Sequence, residues 1–157
     1  MLTLTLPEYF EFDKTLAVVL RGDIDPMNHV SNGVWRRCLR DKEQLVLVEV
    51  KESAGGLLIK KCSGNMDASL IKYKLTNILG LDDPFLNTNK WLGRAEYRQL
   101  TPVHSCALAG FGSLFECFSQ TILGQLVSVT AANTMRARFI KTFGDYIEYE
   151  GVRYYAF

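Results

Sequence analysis

Several features that mark particular classes of protein are missing from this chain of 157 residues. It has no run of about 18 apolar residues, which argues against a helix that spans a membrane. The amino terminus, MLTLTLPEYF, lacks a basic region followed by an apolar stretch, so no signal peptide is predicted. There is no internal repeat and no low-complexity segment. We therefore expect a cytoplasmic protein with no membrane partner.

An excess of charge of one sign is also missing. The formal net charge is +1, whereas nucleic-acid-binding domains are commonly strongly basic. Any contact with DNA must therefore be local, or must be completed by residues outside this chain.

Closely spaced cysteines are missing as well, because no C-x-x-C pair occurs among Cys38, Cys62, Cys106 and Cys117. Only His29 and His104 could join them as metal ligands, and neither histidine has a nucleophile that would complete a dyad. Free buried thiols and histidines on the surface or in loops are the better interpretation. We expect no metal and no cofactor.

The composition suits a globular core, with 48% hydrophobic and 11% aromatic residues. Alternating leucines from Leu2 to Leu6 predict a strand with one buried face. The run after Asp13 predicts a short helix that is capped by this aspartate and closed by Gly22, although β-branched residues leave a buried strand possible. Asn32-Gly33 predicts a tight hairpin turn.

Three further strands are predicted at 34–39, 44–52 and 57–62, and their short connections favour an antiparallel meander. A helix capped by Asp67 and ended by Gly80 follows. Residues 1–81 are therefore predicted to form an α+β domain with an antiparallel sheet and helices. Residues 82–112 read as a connection, with a hinge at 110–112.

Residues 113–144 predict two helices joined by a short turn. In Ser113-x-x-Glu116 the serine oxygen can accept from a free backbone N–H while the glutamate reaches back to the serine N–H, which is a capping box. Apolar residues then recur at helical spacing, which predicts a buried stripe and a helix in the core. This stripe consists of Leu114, Phe115, Phe118, Ile122 and Leu123.

Gly124 can adopt a left-handed conformation that suits a helix end, and Ser128 can cap the second helix. That helix ends at Gly144, and residues 146–149 and 152–155 then suggest a small hairpin. The charged residues of the second helix, Arg136, Arg138 and Lys141, could contact phosphates, but a solvated face is the favoured interpretation.

Gln125, Leu126 and Val127 are left in the turn between the helices. A bulky apolar side chain there could act as a wedge that enters the DNA minor groove when a base leaves the stack. Alternatively, Leu126 could fold back and staple the turn to the core, and spacing alone favours that alternative.

The string ILGQLVSV, the helix TAANTMRARFIKTFGD and the leader LFE at 114–116 also carry a resemblance. They resemble the 3-methyladenine DNA glycosylase II family of the helix-hairpin-helix DNA glycosylase superfamily. The resemblance is specific over 110–157 and architectural over the first hundred residues. It implies a TATA-binding-protein-like domain, followed at 113–157 by the first helices of an all-α glycosylase domain. By the same resemblance Leu126 is the intercalating wedge, Gln125 faces DNA, and Gly124 and Ser128 shape the turn.

The function implied is base-excision repair, in which a damaged, alkylated purine is flipped out of double-stranded DNA and its N-glycosidic bond is hydrolysed. The family's catalytic aspartate and helix-hairpin-helix motif lie downstream of the matching region, and Gly93-Arg94 offers no substitute for that motif. No catalytic residue is assigned here, and this chain is expected to be inactive without a carboxy-terminal glycosylase segment. Alternatives are part of an oxidised-guanine glycosylase, a non-catalytic DNA-binding module, or an interaction domain.

Overall fold

The computed structural model of the chain describes residues 1–7, 10–20, 25–82 and 109–157. These residues form a five-stranded antiparallel sheet, a two-stranded hairpin and four helices. The predicted α+β fold with an antiparallel sheet is confirmed.

The sheet has the strand order β1-β5-β4-β3-β2. Its strands are β1 (Leu2–Thr5), β2 (Asn28–Ser31), β3 (Val34–Asp41), β4 (Gln44–Ser53) and β5 (Gly56–Gly64). The meander predicted from the sequence is confirmed, and its strands extend slightly beyond the predicted limits. Asn32 and Gly33, with φ angles of 51° and 70°, form the predicted turn between β2 and β3. Two residues with positive φ give a turn whose twist matches that of the paired strands.

Two helices, α1 (Phe12–Val19) and α2 (Ala68–Leu79), cover one face of this sheet. The Asp67 side chain accepts a hydrogen bond from the Ser69 N–H at 2.8 Å, and Gly80 ends α2 with a φ of 65°. Both predicted ends of α2 are therefore confirmed. Trp35 is fully buried between the layers, with its ring edge-on to Phe12. Each large apolar side chain buried here stabilises the fold by roughly 1.5–3 kcal/mol.

The start of α1 differs from the prediction. Asp13 does not cap this helix but lies within its first turn, because the helix begins at Phe12. Phe12 is 2% exposed, and its burial against Trp35 places it on the inner face of the helix. A carboxylate in the first turn still interacts favourably with the helix dipole. The predicted stop at Gly22 lies outside the described residues.

The other face of the sheet is covered by the end of the chain. Strands β6 (Asp145–Tyr149) and β7 (Val152–Ala156) form the predicted hairpin. Tyr154 and Ala156 pack with Cys38 and Leu47 of the sheet. The ion pair between Arg40 and Asp145, 2.5 Å apart, also joins β3 to the start of the hairpin. The sheet is thus enclosed between helices on one side and a hairpin on the other.

The predicted division into 1–81, 82–112 and 113–157 stays a prediction. Most of the connection, 83–108, lies outside the described residues, as do His104, Cys106 and Gly93-Arg94. Gly110, at the predicted hinge, donates a hydrogen bond to the Ile78 carbonyl at 3.0 Å. Contacts therefore tie residues after 108 to α2 as well as to the sheet.

Candidate nucleic-acid interface

Two helices that enclose one turn form the candidate site: α3 (Leu114–Leu123) and α4 (Val129–Phe143). The Ser113 Oγ accepts from the Glu116 N–H at 3.0 Å, and the Ser128 Oγ accepts from the Ala131 N–H at 3.2 Å. Both serines therefore cap their helices as predicted. Gly144 ends α4, where its N–H donates to the Ile140 carbonyl at 2.8 Å.

The second half of the predicted capping box is wrong. The Glu116 carboxylate does not reach back to the Ser113 N–H. It accepts from the Gly112 N–H at 2.9 Å and from the Arg37 guanidinium at 2.8 Å. A buried guanidinium binds a carboxylate more strongly than a neutral N–H does, which accounts for the direction in which the glutamate points.

The expectation that the apolar stripe of α3 is buried is also wrong. Leu114 is 77% exposed, and Phe115, Phe118 and Ile122 are exposed as well. The buried residues of α3 are instead polar, Glu116 and Gln120. Helical periodicity groups the apolar residues on one face but does not determine whether the chain itself covers that face. Here the polar face of α3 is turned towards Arg37 of the sheet.

A buried polar network joins β3 to α3. Arg37 and Glu116 are 2% and 4% exposed, and the Arg37 Nη2 lies 2.8 Å from both Glu116 carboxylate oxygens. The Arg37 Nη1 donates to the Asn28 Oδ1 at 2.8 Å, and this oxygen also accepts from the Trp35 indole. The Gln120 Nε2 donates to the Glu116 Oε1 at 3.2 Å. The charges of the ion pair are therefore compensated by several hydrogen bonds.

Sequence reasoning missed this network, although two signals for it are present. Glu116 and Gln120 are four residues apart, which places them together on one face of an otherwise apolar helix. Arg37 alternates with Trp35 and Leu39 in β3, so it shares their buried face. Arg36 and Arg37 are adjacent in β3 and therefore lie on opposite faces of the sheet, which agrees with their different partners, Glu49 and Glu116.

Leu126 projects from the turn between α3 and α4. Its side chain is fully exposed, and Gln125 and Val127 beside it are exposed too. A leucine folded back onto the core, the alternative drawn from spacing, does not fit this exposure. Leu126 also has a φ of 58°, a left-handed conformation that is uncommon for a residue with a side chain. Strain of this kind persists only where the surrounding structure imposes it.

Gly124 has a φ of −92°, so Leu126 rather than Gly124 supplies the left-handed residue of the turn. The Arg136 guanidinium of α4 passes close to Gly124, and a Cβ at that position would collide with it. Both the Nε and an Nη of Arg136 donate to the Gln120 carbonyl at 3.1 Å. A cation at the carboxyl end of α3 satisfies a free carbonyl and complements the helix dipole. A side chain at position 124 would therefore require the Arg136 guanidinium to shift.

The remaining charges of α4 resemble an ordinary solvated face. Arg138 and Lys141 are exposed, whereas Arg136 is engaged at the end of α3. Among the described residues, no group of three or more His, Cys, Asp or Glu side chains could hold a metal ion. The structure describes Cys38, Cys62 and Cys117, and all three are free thiols. Burial raises the pKa of the Cys38 thiol to about 12, so this sulfur is an unreactive part of the core.

His29 differs from the predicted surface or loop histidine. It lies in β2, is partly buried, and packs on the ring of Tyr154 with centroids 4.7 Å apart.

Over the ranges that the structure describes, no helix is both long and apolar enough to cross a membrane.

No protein-family profile matches the chain. Similarity to individual proteins is nevertheless clear. A DNA-3-methyladenine glycosylase of Bacillus subtilis (strain 168) is 23% identical over 170 residues, a match that covers all of this chain and 54% of that protein. The structure of the 3-methyladenine DNA glycosylase from Archaeoglobus fulgidus superposes with a TM-score of 0.79 at 24% identity, covering all of this chain and 55% of that one.

The fold is also similar to that of the Clostridium acetobutylicum 8-oxoguanine glycosylase/lyase, solved in complex with dsDNA containing cytosine opposite to 8-oxoG. It has a TM-score of 0.66 and 17% identity, and covers all of this chain and 53% of that one. The resemblance to DNA glycosylases that the sequence predicts is therefore confirmed, and the fold matches their amino-terminal portion. The chain spans about half the length of the relatives it matches.

Proposed function

We propose that this chain is the amino-terminal part of a base-excision-repair DNA glycosylase that removes damaged, alkylated purines. The observation that carries the proposal is Leu126, a fully exposed leucine held in a left-handed conformation at the tip of a helix pair. An exposed apolar side chain in a strained turn contributes nothing to the core. Its use must therefore lie in a contact outside the fold, and the matched relatives are named as enzymes that act on DNA.

In the proposed mechanism Leu126 enters the minor groove and fills the space left when the damaged nucleotide rotates out of the duplex. Unstacking a base costs a few kcal/mol, which an inserted apolar side chain partly offsets. Gln125 is also exposed in the turn, and in the proposed complex it hydrogen-bonds to a base or sugar edge beside the gap. Gly124 and Ser128 act on DNA only indirectly, because one admits Arg136 and the other caps α4.

Hydrolysis of the N-glycosidic bond is proposed for the complete protein, and no residue of this chain is assigned to it. We expect this chain alone to bind and distort damaged duplex without releasing a base. The assay is incubation with alkylated duplex DNA followed by chromatography of the free bases. Release of 3-methyladenine by this chain alone would contradict the assignment of catalysis to a further segment.

We also place the protein in the cytoplasm, where its free thiols would stay reduced.

The exposed apolar face of α3 supports the existence of that further segment. Leu114, Phe118 and Ile122 form a patch of a kind that soluble proteins usually cover. The relatives are about twice as long as this chain, so we propose that the remaining glycosylase segment packs on this face. Phe118→Lys should then destabilise the complete protein by about 2 kcal/mol or more, yet change this chain alone by less than about 0.5 kcal/mol.

The control for this experiment is Tyr73→Lys, which changes an exposed aromatic residue of α2 and should be neutral in both proteins. A neutral Phe118→Lys in the complete protein would show that the patch is not covered by the missing segment. If this chain alone dimerises in sedimentation experiments and Phe118→Lys makes it monomeric, a second copy is the occupant instead.

The wedge itself is tested by fluorescence of 2-aminopurine placed opposite an abasic site in a duplex. Binding of this chain should raise the fluorescence as the base unstacks, and Leu126→Ala should abolish the rise and weaken binding about tenfold. The matched control is Leu114→Ala, which removes an equally apolar and largely exposed leucine outside the turn. An unchanged fluorescence rise with Leu126→Ala would refute the wedge role.

An oxidised-guanine specificity remains the alternative for the substrate. The relative named as an 8-oxoguanine glycosylase/lyase has a lower TM-score and lower identity than the archaeal 3-methyladenine enzyme, and for that reason we favour alkylated purines. Base release by the complete protein from duplexes containing either lesion decides between them.

A further inference from the structure

The buried ion pair between Arg37 and Glu116 stands out because neither residue lies at the turn or on the exposed face of α3. Burying such a pair costs free energy because both charges lose their contact with water, and removing one partner costs more because the other charge is left unpaired. Buried ion pairs are weak evidence for stability alone, because well-packed apolar residues often serve as well or better. A role in fixing one orientation among several is the better-supported use of buried polar groups.

We propose that Arg37 and Glu116 are positioning residues for the wedge, which rests on the function proposed above. The pair determines which face of α3 contacts the sheet, and α3 in turn carries the Leu126 turn at its carboxyl end. Without the pair, the apolar face of α3 would bury more favourably than its polar face. The helix would then be free to rotate towards the sheet and carry Leu126 away from its present direction.

Hydrogen bonds on either side of the ion pair connect it to the turn that carries Leu126. Glu116 also accepts from the Gly112 N–H, which fixes the start of α3, and from Gln120 one turn further along. The Gln120 carbonyl accepts from Arg136 of α4, beside Gly124 and the turn. A continuous set of hydrogen bonds therefore runs from β3 to the base of the Leu126 turn, and every link is 3.2 Å or shorter.

The test uses 2-aminopurine fluorescence at saturating protein, with each variant shown to be folded by circular dichroism at the temperature used. Glu116→Gln leaves the Arg37 charge unpaired, and we expect the fluorescence rise to fall about tenfold or more, as for other displaced functional groups. Affinity for the same duplex is the second readout, because Leu126→Ala already abolishes the fluorescence rise. The double variant Leu126→Ala/Glu116→Gln should bind as weakly as Leu126→Ala alone, because both changes act through one side chain. Additive losses of affinity in the double variant would overturn the proposal.

A second variant keeps the test decisive if Glu116→Gln does not fold. Replacing the pair together, as Arg37→Met/Glu116→Leu, removes both charges and should restore a folded protein. We expect this apolar pair to stay deficient in fluorescence despite its stability. A normal rise with the apolar pair would show that packing alone orients α3 and would refute the positioning role.

The two proposals fail in different ways. If Leu126→Ala abolishes the rise while folded Glu116→Gln retains it, the wedge stands and the positioning role is refuted. If Leu126→Ala leaves the rise intact, the wedge and the positioning role fall together.

Discussion

Helices α2 and α3 are both short and amphipathic, and each is capped by the residue before its first turn. However, α2 buries its apolar face and α3 buries its polar face. Helix α2 turns Ile71, Leu75, Ile78 and Leu79 into the core. Helix α3 turns Glu116 and Gln120 inward and leaves most of its apolar residues in solvent. Helix α2 completes a hydrophobic core within this chain. Helix α3 presents an apolar surface to solvent, which is the arrangement expected of a helix that packs against a further protein segment.

Breaking the polar contact of α3 should have the largest effect on stability. Glu116→Gln leaves the buried Arg37 charge uncompensated and is expected to lower the free energy of unfolding by about 3–5 kcal/mol, measured by urea denaturation. The control is Lys14→Gln, which breaks an exposed ion pair to Glu11 and should change stability by less than about 0.5 kcal/mol. Equal effects of the two substitutions would mean that α3 is not held by a buried pair.

A matched pair of leucines compares the two apolar faces directly. Leu75→Ala, in the core face of α2, should cost about 2–5 kcal/mol because the residue is fully buried. Leu114→Ala, on the exposed face of α3, should cost less than about 0.5 kcal/mol. Similar losses in thermal denaturation of this chain would show that the α3 face is covered in solution, and the comparison would no longer hold.

Relieving the strain at the turn should have a smaller effect of the opposite sign. Leu126→Asn is expected to raise stability by about 0.5–1 kcal/mol, because asparagine tolerates the left-handed conformation better. The same variant should lose the 2-aminopurine signal. Leu126→Val is the contrasting change, since a β-branched residue adopts positive φ poorly and should lower the melting temperature. A melting temperature for Leu126→Asn below that of the unaltered chain would contradict the strain interpretation.

The smallest expected effect is the pH dependence of an ion pair on the hairpin side of the sheet, between Arg36 and Glu49. The hydrogen bond from Arg36 holds the pKa of Glu49 below its ordinary value of 4.5, despite some opposition from burial. A lowered pKa in the folded state adds stability above pH 4.5, and that stability is lost as the pH falls through the folded pKa. The stability gap between the unaltered chain and Glu49→Gln should therefore narrow below pH 4.5. Glu52→Gln, an exposed carboxylate of the same strand, controls for the loss of a charge, and a gap that widens in acid would refute the assignment.

Features encoded by neighbouring residues could be predicted from the sequence. Asn32-Gly33 forms its turn because both residues accept positive φ, and Asp67 and Gly80 bound α2 through contacts within a few residues. The serine caps of α3 and α4 follow the same local logic. Asp13 was misjudged because burial of Phe12 against Trp35, a residue distant in sequence, determines where α1 begins.

The candidate site was predictable only in part. Placing Leu126 in a turn between two helices follows from helix periodicity and from the cap at Ser128. Its exposure and its left-handed backbone, like the approach of Arg136 to Gly124, are properties of the folded helix pair and not of the local sequence.

The sequence by itself determined most elements of this protein, the caps at the starts of α2, α3 and α4, the resemblance to DNA glycosylases and the position of one leucine between two helices. Tertiary structure alone decided which side of α3 faces inward. Periodicity sorts residues onto faces but carries no information on what each face will meet. That choice was made by Arg37, 79 residues away along the chain, whose buried charge requires the Glu116 carboxylate.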